Sequence, residues 1–217
     1  MQLINEQQRF PFIYTCVIVG IVIAGANVVT HVINPAPANA NQLYWYMARS
    51  SGFTSYGLLS LAVLLGASSS SGVWDRLKLR KLMTQVHQYA SLLVFPFLFF
   101  HLWGVYSDKS VLFTWASILV PFIDTYRVVP IGLGILVLYG WILLIVTSYF
   151  REKIGVKVWR GIHMAAFPMF ILVTLHSLLS GSDTGKLWSS LVYLVPSVLF
   201  VIILFKRFAR KSPRNSY

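Results

Sequence analysis

The chain has 217 residues, of which 57% are hydrophobic, 15% aromatic and only 11% charged, with a net charge of +12. Soluble domains carry about 25% charged residues, so this composition cannot coat a soluble surface. It excludes disorder, a collagen repeat, a nucleic-acid partner and, with Cys16 as the single cysteine, a disulfide scaffold.

What remains is an all-α, polytopic membrane protein, a single transmembrane domain over residues 1–217. In chain order, six stretches lack Lys, Arg, Asp and Glu over roughly the 20 residues that a spanning helix needs: 11–33, 50–68, 82–106, 128–150, 161–181 and 187–205. They do not alternate, so barrel strands are not expected. The first follows a polar opening with one basic residue, Arg9, and no small-residue cleavage site before Asn34, which predicts a retained helix rather than a leader. Loop 34–42, with Pro37 and several asparagines, carries no basic residue, and the serines from Ser68 to Gly72 read as a flexible turn. The apolar patch Val111–Ile123 is too short to span and reads as an interfacial or re-entrant piece with Trp115 at headgroup level.

Orientation follows from the basic residues. The N-terminus, the 69–81 and 151–160 connections and the tail hold 14 Lys and Arg; the remaining connections hold Arg49, Lys109, Arg127 and Lys186. Basic residues gather in cytoplasmic loops, which predicts both termini in the cytoplasm. The motifs GxGxxG and GxxxxGK[ST] do not occur, so nucleotide binding on this chain is not expected.

The ionisable groups at membrane depth are histidines. His87 and His101 share the third span, 14 residues apart, and His163 and His176 share the fifth, 13 apart. Each pair is separated by about 20 Å along its helix. The two spans run in the same direction, so His87 and His163 fall in a layer near the cytoplasmic ends, and His101 and His176 in a layer near the outer ends. Two facing neutral imidazoles suit the two axial positions of a haem, and a helix bundle is an established place to hold one. A bare zinc or iron ion would lack further ligands, since neither layer offers a carboxylate or thiolate. The alternative is that the histidines serve only as interhelical hydrogen-bond partners. The spacing of 13 leaves a difficulty: at about 100° per residue it misses a common face by about 140°. Pro168 and Pro96, which leave the Met164 and Leu92 carbonyls without their usual donors, predict local distortion between the paired histidines. His31, at the outer end of the first span, reads as interfacial.

With these spacings, the segments TQVHQYASLLVFPFLFFHLWG and WRGIHMAAFPMFILVTLHSLLSG resemble the ferric reductase-like transmembrane family, over roughly residues 45–185. ARSSGF and TYRVVPIGLGILVLYGWIL resemble its short bacterial members. That family includes ferric reductases, NADPH oxidases and the haem-binding subunit of a periplasmic methionine sulfoxide reductase system. The resemblance implies two b-type haems, one ligated by His87 with His163 and one by His101 with His176, passing electrons outward through a bacterial cytoplasmic membrane. Ferric reductases and NADPH oxidases carry a cytosolic flavin and nicotinamide domain after the last span, whereas here a short basic tail follows Leu204. A separate flavoprotein or a quinol is therefore expected as donor. Ferric iron, oxygen or a periplasmic reductase, such as a methionine sulfoxide reductase-type partner, is the expected acceptor.

Other residues carry two readings each. Arg49, Arg127 and Arg160 lie at span boundaries, where a guanidinium can pair with a haem propionate or serve only as a boundary charge. Trp45, Trp103, Trp159 and Trp188 read as an aromatic belt. Gly132 and Gly134 allow close approach of a helix or a haem. Two competing functions stand beside electron transfer: a transporter with histidine proton relays, for which the spans supply no Asp or Glu, and a purely structural membrane subunit.

Overall fold

The computed structural model describes residues 37–69 and 73–209, with isolated helical positions between 17 and 28. The first predicted span, with Cys16 and His31, therefore lies outside the described residues, as do most of the serine turn and the tail beyond Ala209. Among the described residues the chain is helical and has no strand, in the order α1 (Pro37–Ser68), α2 (Val73–Arg76), α3 (Arg80–Ser107), α4 (Trp115–Leu119), α5 (Val128–Tyr149), α6 (Arg151–Ile154), α7 (Val156–His163), α8 (Ala166–Ser180) and α9 (Leu187–Ala209). Five stretches are long and apolar enough to cross a membrane: α1 from Asn41, α3, α5, α7 with α8, and α9 to Arg207. They make this a multi-pass membrane protein. The apolar side chains that face outward, such as Phe95 at 63% and Phe205 at 74% exposure, are where lipid would lie.

One predicted boundary is corrected, and one predicted distortion is found. Loop 34–42 is already helical from Pro37, so α1 starts well before the predicted 50–68 span. Proline suits the first turn of a helix, where its missing N–H is not needed. The distortion lies in the fifth span, which is interrupted where Pro168 led one to expect it. α7 ends at His163 and α8 starts at Ala166. Pro168 has no N–H to give the Met164 carbonyl, and Phe167 N–H takes that carbonyl instead at 3.2 Å; Ala165 N–H bonds Ile162 at 2.9 Å. Both are i to i−3 bonds of the 3₁₀ type, which advance about 120° per residue in place of 100°. About three such residues add roughly 60° of rotation, which removes a good part of the mismatch between His163 and His176. By contrast α3 continues through Pro96 without interruption. Gly155, at φ +83°, makes the turn from α6 into α7, a conformation that a side chain would disfavour.

The helices pack as two tight pairs. α1 and α3 run against each other along most of their length, and α5 packs on α8; α9 and α8 both touch α1. α1 and α3 come closest at Gly104, where an added Cβ would lie 2.7 Å from the Ala48 backbone nitrogen. Helices in lipid associate through small residues and polar contacts rather than apolar burial alone. The buried core lies where α1, α5, α8 and α9 meet, around Tyr56, Val137, Phe170, Val173, Tyr193 and Phe200. Tyr56, 2% exposed, lies 3.2 Å from the Thr174 hydroxyl and packs edge-on against Tyr193 at 5.1 Å. The short α4 is capped at its N-terminus by a reciprocal box, Thr114 Oγ1 accepting from Ser117 N–H and Ser117 Oγ from Thr114 N–H.

Candidate functional site

α3 carries His87 and His101, and the α7–α8 span carries His163 and His176. These two spans are not packed closely on one another; each is held by its own partner, α1 for α3 and α5 for α8. Across the space between them the structure brings together His87 and His163, with ring centroids 6.2 Å apart, and His101 and His176, 6.4 Å apart. The rings of each pair are strongly rotated against each other, by 71° and 88°. All four are half-buried.

The ring nitrogens are oriented from behind. His101 Nδ1 lies 2.7 Å from the Ala48 carbonyl, His87 Nδ1 2.8 Å from the Ala62 carbonyl, and His176 Nδ1 2.8 Å from the Pro130 carbonyl. A neutral imidazole whose Nδ1–H donates to a carbonyl keeps its lone pair on Nε2, the form in which histidine binds a metal. In each case the residue four positions after the carbonyl is glycine, and the imidazole lies over it. A Cβ would lie 2.9 Å from His101 at Gly52, 3.2 Å from His87 at Gly66 and 2.6 Å from His176 at Gly134. The spacing of 14 between His87 and His101 is repeated in the opposite direction on α1, as Ala48 with Ala62 and Gly52 with Gly66. His163 is the exception: its Nδ1 lies 3.4 Å from the Ser148 hydroxyl, which accepts the Trp159 indole N–H at 3.1 Å.

The separations bear on whether the two imidazoles of a layer are bonded to each other. Two imidazoles bonded directly to each other by N–H···N at about 2.9 Å would have centroids roughly 5.2 Å apart. Two imidazoles bound on opposite sides of one metal ion, each at about 2.0 Å, have centroids roughly 6.3 Å apart. The observed 6.2 and 6.4 Å are too long for a direct bond between the two rings and leave room for a metal ion between them. No group of three or more His, Cys, Asp and Glu is found among the described residues, so neither layer completes a four-coordinate site from side chains alone. A macrocycle supplying the equatorial ligands fits that donor set.

The arginines fall in different settings. Arg49 forms an ion pair with Asp183 and lies over the rings of Trp45 and Trp188, at 4.9 and 5.9 Å. Asp183, whose side chain is 3% exposed, also pairs with Lys186 at 2.7 Å. Arg127 donates to the Leu179 and Ser180 carbonyls at 3.1 and 3.2 Å, which satisfies the open end of α8. Arg160 is exposed on α7, one turn from His163. Of the other glycines weighed in the sequence, Gly132 faces the Phe122 ring.

Asp183 and the two Ala-x-x-x-Gly steps of α1 are absent from the sequence reading. The steps carried a visible signal in their 14-residue repeat; Asp183, an isolated loop carboxylate, carried none. Arg49→Leu leaves Asp183 buried with only Lys186 beside it and is expected to cost about 3 kcal/mol. Lys186→Met, removing an exposed ammonium, is expected to cost under about 1 kcal/mol. Thermal unfolding of the two variants in detergent checks the order.

The family described as ferric reductase like transmembrane component matches residues 51–174 of the chain. Neither a comparison with curated proteins nor one with solved structures finds a match to it.

Proposed function

Because this chain belongs to the family of ferric reductase like transmembrane components, we propose that it carries electrons across the membrane by way of two b-type haems, one held by His87 and His163 and one by His101 and His176. The observation that carries this reading is the pair of centroid separations, 6.2 and 6.4 Å, in rings whose Nδ1 atoms are engaged from behind. Each bound haem would supply a centre that takes up and gives back one electron at a time. The work of the chain is to hold the four imidazoles. The Ala48, Ala62 and Pro130 carbonyls retain a proton on Nδ1, so Nε2 stays a donor, and they fix the plane of each ring. The apolar spans exclude water and carry no acidic group between the two layers, which disfavours a proton relay.

Direction follows from the basic residues. Arg76, Lys78, Arg80, Lys81, Arg151, Lys153, Lys157, Arg160, Lys206 and Arg207 lie at the end where α1 finishes and α3 begins, and Arg49, Lys109, Arg127 and Lys186 at the other. The first end is cytoplasmic on that count. The His87–His163 layer is then the inner one, and electrons enter there from a flavoprotein or quinol of a bacterial cytoplasmic membrane. They leave at the outer layer, to ferric iron, oxygen or a periplasmic reductase. Of the three boundary arginines, Arg49 is taken up by Asp183, which leaves Arg127 and Arg160 to meet a propionate.

The test is the haem content of the purified protein. Acid acetone should extract the haem, since no CxxCH attachment motif exists, and the pyridine haemochrome should approach two per chain. A folded, colourless preparation from haem-replete cells defeats the reading. The purified chain is also expected to be inert to NADPH until a flavoprotein or quinol is added, measured by the rate of reduction in the visible spectrum.

A further inference from the structure

We propose that Ser148 and Trp159 are positioning residues that tune the centre on His87 and His163 separately from its neighbour, an inference that rests on the haem reading above. Three of the four histidines share one seat, a backbone carbonyl with a glycine four residues later. On α5 and α8 that seat is Pro130 with Gly134, facing His176. Moving 13 residues back from His176 to His163, and 13 forward along the antiparallel α5, reaches Leu143 and Thr147. There the seat is closed. Thr147 stands in the glycine's place, and its own hydroxyl donates to the Leu143 carbonyl at 2.7 Å.

His163 therefore turns to the next residue, Ser148, and the quality of the bond changes. The three carbonyls lie 2.7 to 2.8 Å from Nδ1, whereas the Ser148 oxygen lies at 3.4 Å and already accepts the Trp159 N–H at 3.1 Å. An alcohol oxygen shared between two N–H donors is a poorer acceptor than an amide carbonyl. It draws the Nδ1 proton less, leaves the imidazole with less negative charge, and makes Nε2 a weaker donor to a metal. The oxidised form of that centre is stabilised less, which raises its potential. Trp159 completes the arrangement from the other side. Its ring lies 5.0 Å from the His163 ring at 33°, and the Arg151 guanidinium lies 5.3 Å from the Trp159 ring centre. The indole thus both supports the imidazole and withdraws acceptor strength from Ser148.

The two roles predict shifts of opposite sign. Ser148→Ala removes the acceptor, and the potential of the His163 centre should rise. Trp159→Phe keeps an aromatic ring against His163 but frees the Ser148 oxygen to accept from Nδ1 alone, and the potential should fall. Ser148→Thr, which keeps a hydroxyl, should stay close to the parent. The measurement is spectroelectrochemistry of the full-length holoprotein, resolving two one-electron components, with the His163 component identified as the one lost in His163→Ala. Opposite shifts confined to that component support the proposal. Shifts in the same direction, equal movement of both components, or no movement in either variant overturn it while leaving the two-haem reading intact. A protein that binds no haem fails at the first spectrum, and overturns the haem reading and this inference together.

Discussion

His87→Ala and His163→Ala are each expected to remove the same haem, or convert it to high spin, and His101→Ala and His176→Ala to do so to the other. The reason is geometric. Partners within a layer have ring centroids 6.2 or 6.4 Å apart, whereas the two histidines of α3 are separated by about 20 Å along the helix, so no crossed pair can share one metal. An imidazole pair that loses one member leaves an open axial position, and an open or water-bound position is what high-spin spectra report. Each single variant should therefore retain close to half the parental low-spin signal, and a variant with one histidine replaced in each layer should retain almost none. With the centres in series, every one of the four substitutions should stop transfer from one face of a vesicle to the other. The side from which the surviving haem can still be reduced should tell the layers apart: from the cytoplasmic face after His101→Ala or His176→Ala, from the outer face after His87→Ala or His163→Ala. If His87→Ala matched His176→Ala in spectrum and sidedness, the layered pairing would be wrong.

The second large effect concerns residues that touch no metal. Gly134→Ala, Gly52→Ala and Gly66→Ala are expected to reduce haem content in that order. The added Cβ would lie 2.6 Å from the ring of His176, 2.9 Å from that of His101 and 3.2 Å from that of His87. Real Cβ contacts almost never fall below about 3 Å, and the rings cannot retreat freely, because their Nδ1 atoms are tied to carbonyls of the same helices at 2.7 to 2.8 Å. At Gly134 the imidazole must leave its seat, and most of the His101–His176 haem should be lost. Gly52→Ala should affect the same haem, less completely. At Gly66 a displacement of a few tenths of an ångström suffices, and the His87–His163 haem should persist with an altered spectrum. Gly57→Ala provides the control. A Cβ there meets nothing within 4 Å, and a helical glycine replaced by alanine gains about 0.5–1 kcal/mol, so haem content should be unchanged. Equal loss at Gly57 and Gly134 would mean that the glycines serve α-helix packing or folding in general rather than the imidazoles.

These two experiments also mark the division between local and tertiary information. The spanning helices could be read from the sequence because apolar length is a local property: α3, α5, the α7–α8 span and α9 lie within a few residues of their predicted bounds. That His87 lies beside His163, and His101 beside His176, was also legible, since counting spans gives the direction of each helix and direction gives the level of each residue. The family likeness rested on the same four positions and their spacing. α1 was misjudged at its start, because the polar residues from Asn39 to Gln42 look like a loop until the helix that begins at Pro37 carries through them.

What lies behind the imidazoles depended on which helix face meets which, and no single segment contains that information. Every helical carbonyl already accepts a bond within its own helix, so apart from the 14-residue repeat of Ala48 and Ala62 nothing local marks these carbonyls or that of Pro130 as the ones that take a second. They become acceptors only because glycine four residues later lets a ring from another helix come within 2.7 to 2.8 Å. The same holds for Arg49, read from the sequence as a span-boundary guanidinium that could pair with a haem propionate and joined in the fold to Asp183, 134 positions further along the chain. It holds again at His163. Pro168 foretold a distortion, but only the packing of α7 against α5 decided that the histidine would meet a shared serine hydroxyl, where its three counterparts meet a carbonyl. Composition and spacing thus determined where the described spanning helices lie and where the histidines stand along them; the hydrogen bonds that orient those histidines arose only when helices distant in sequence came into register.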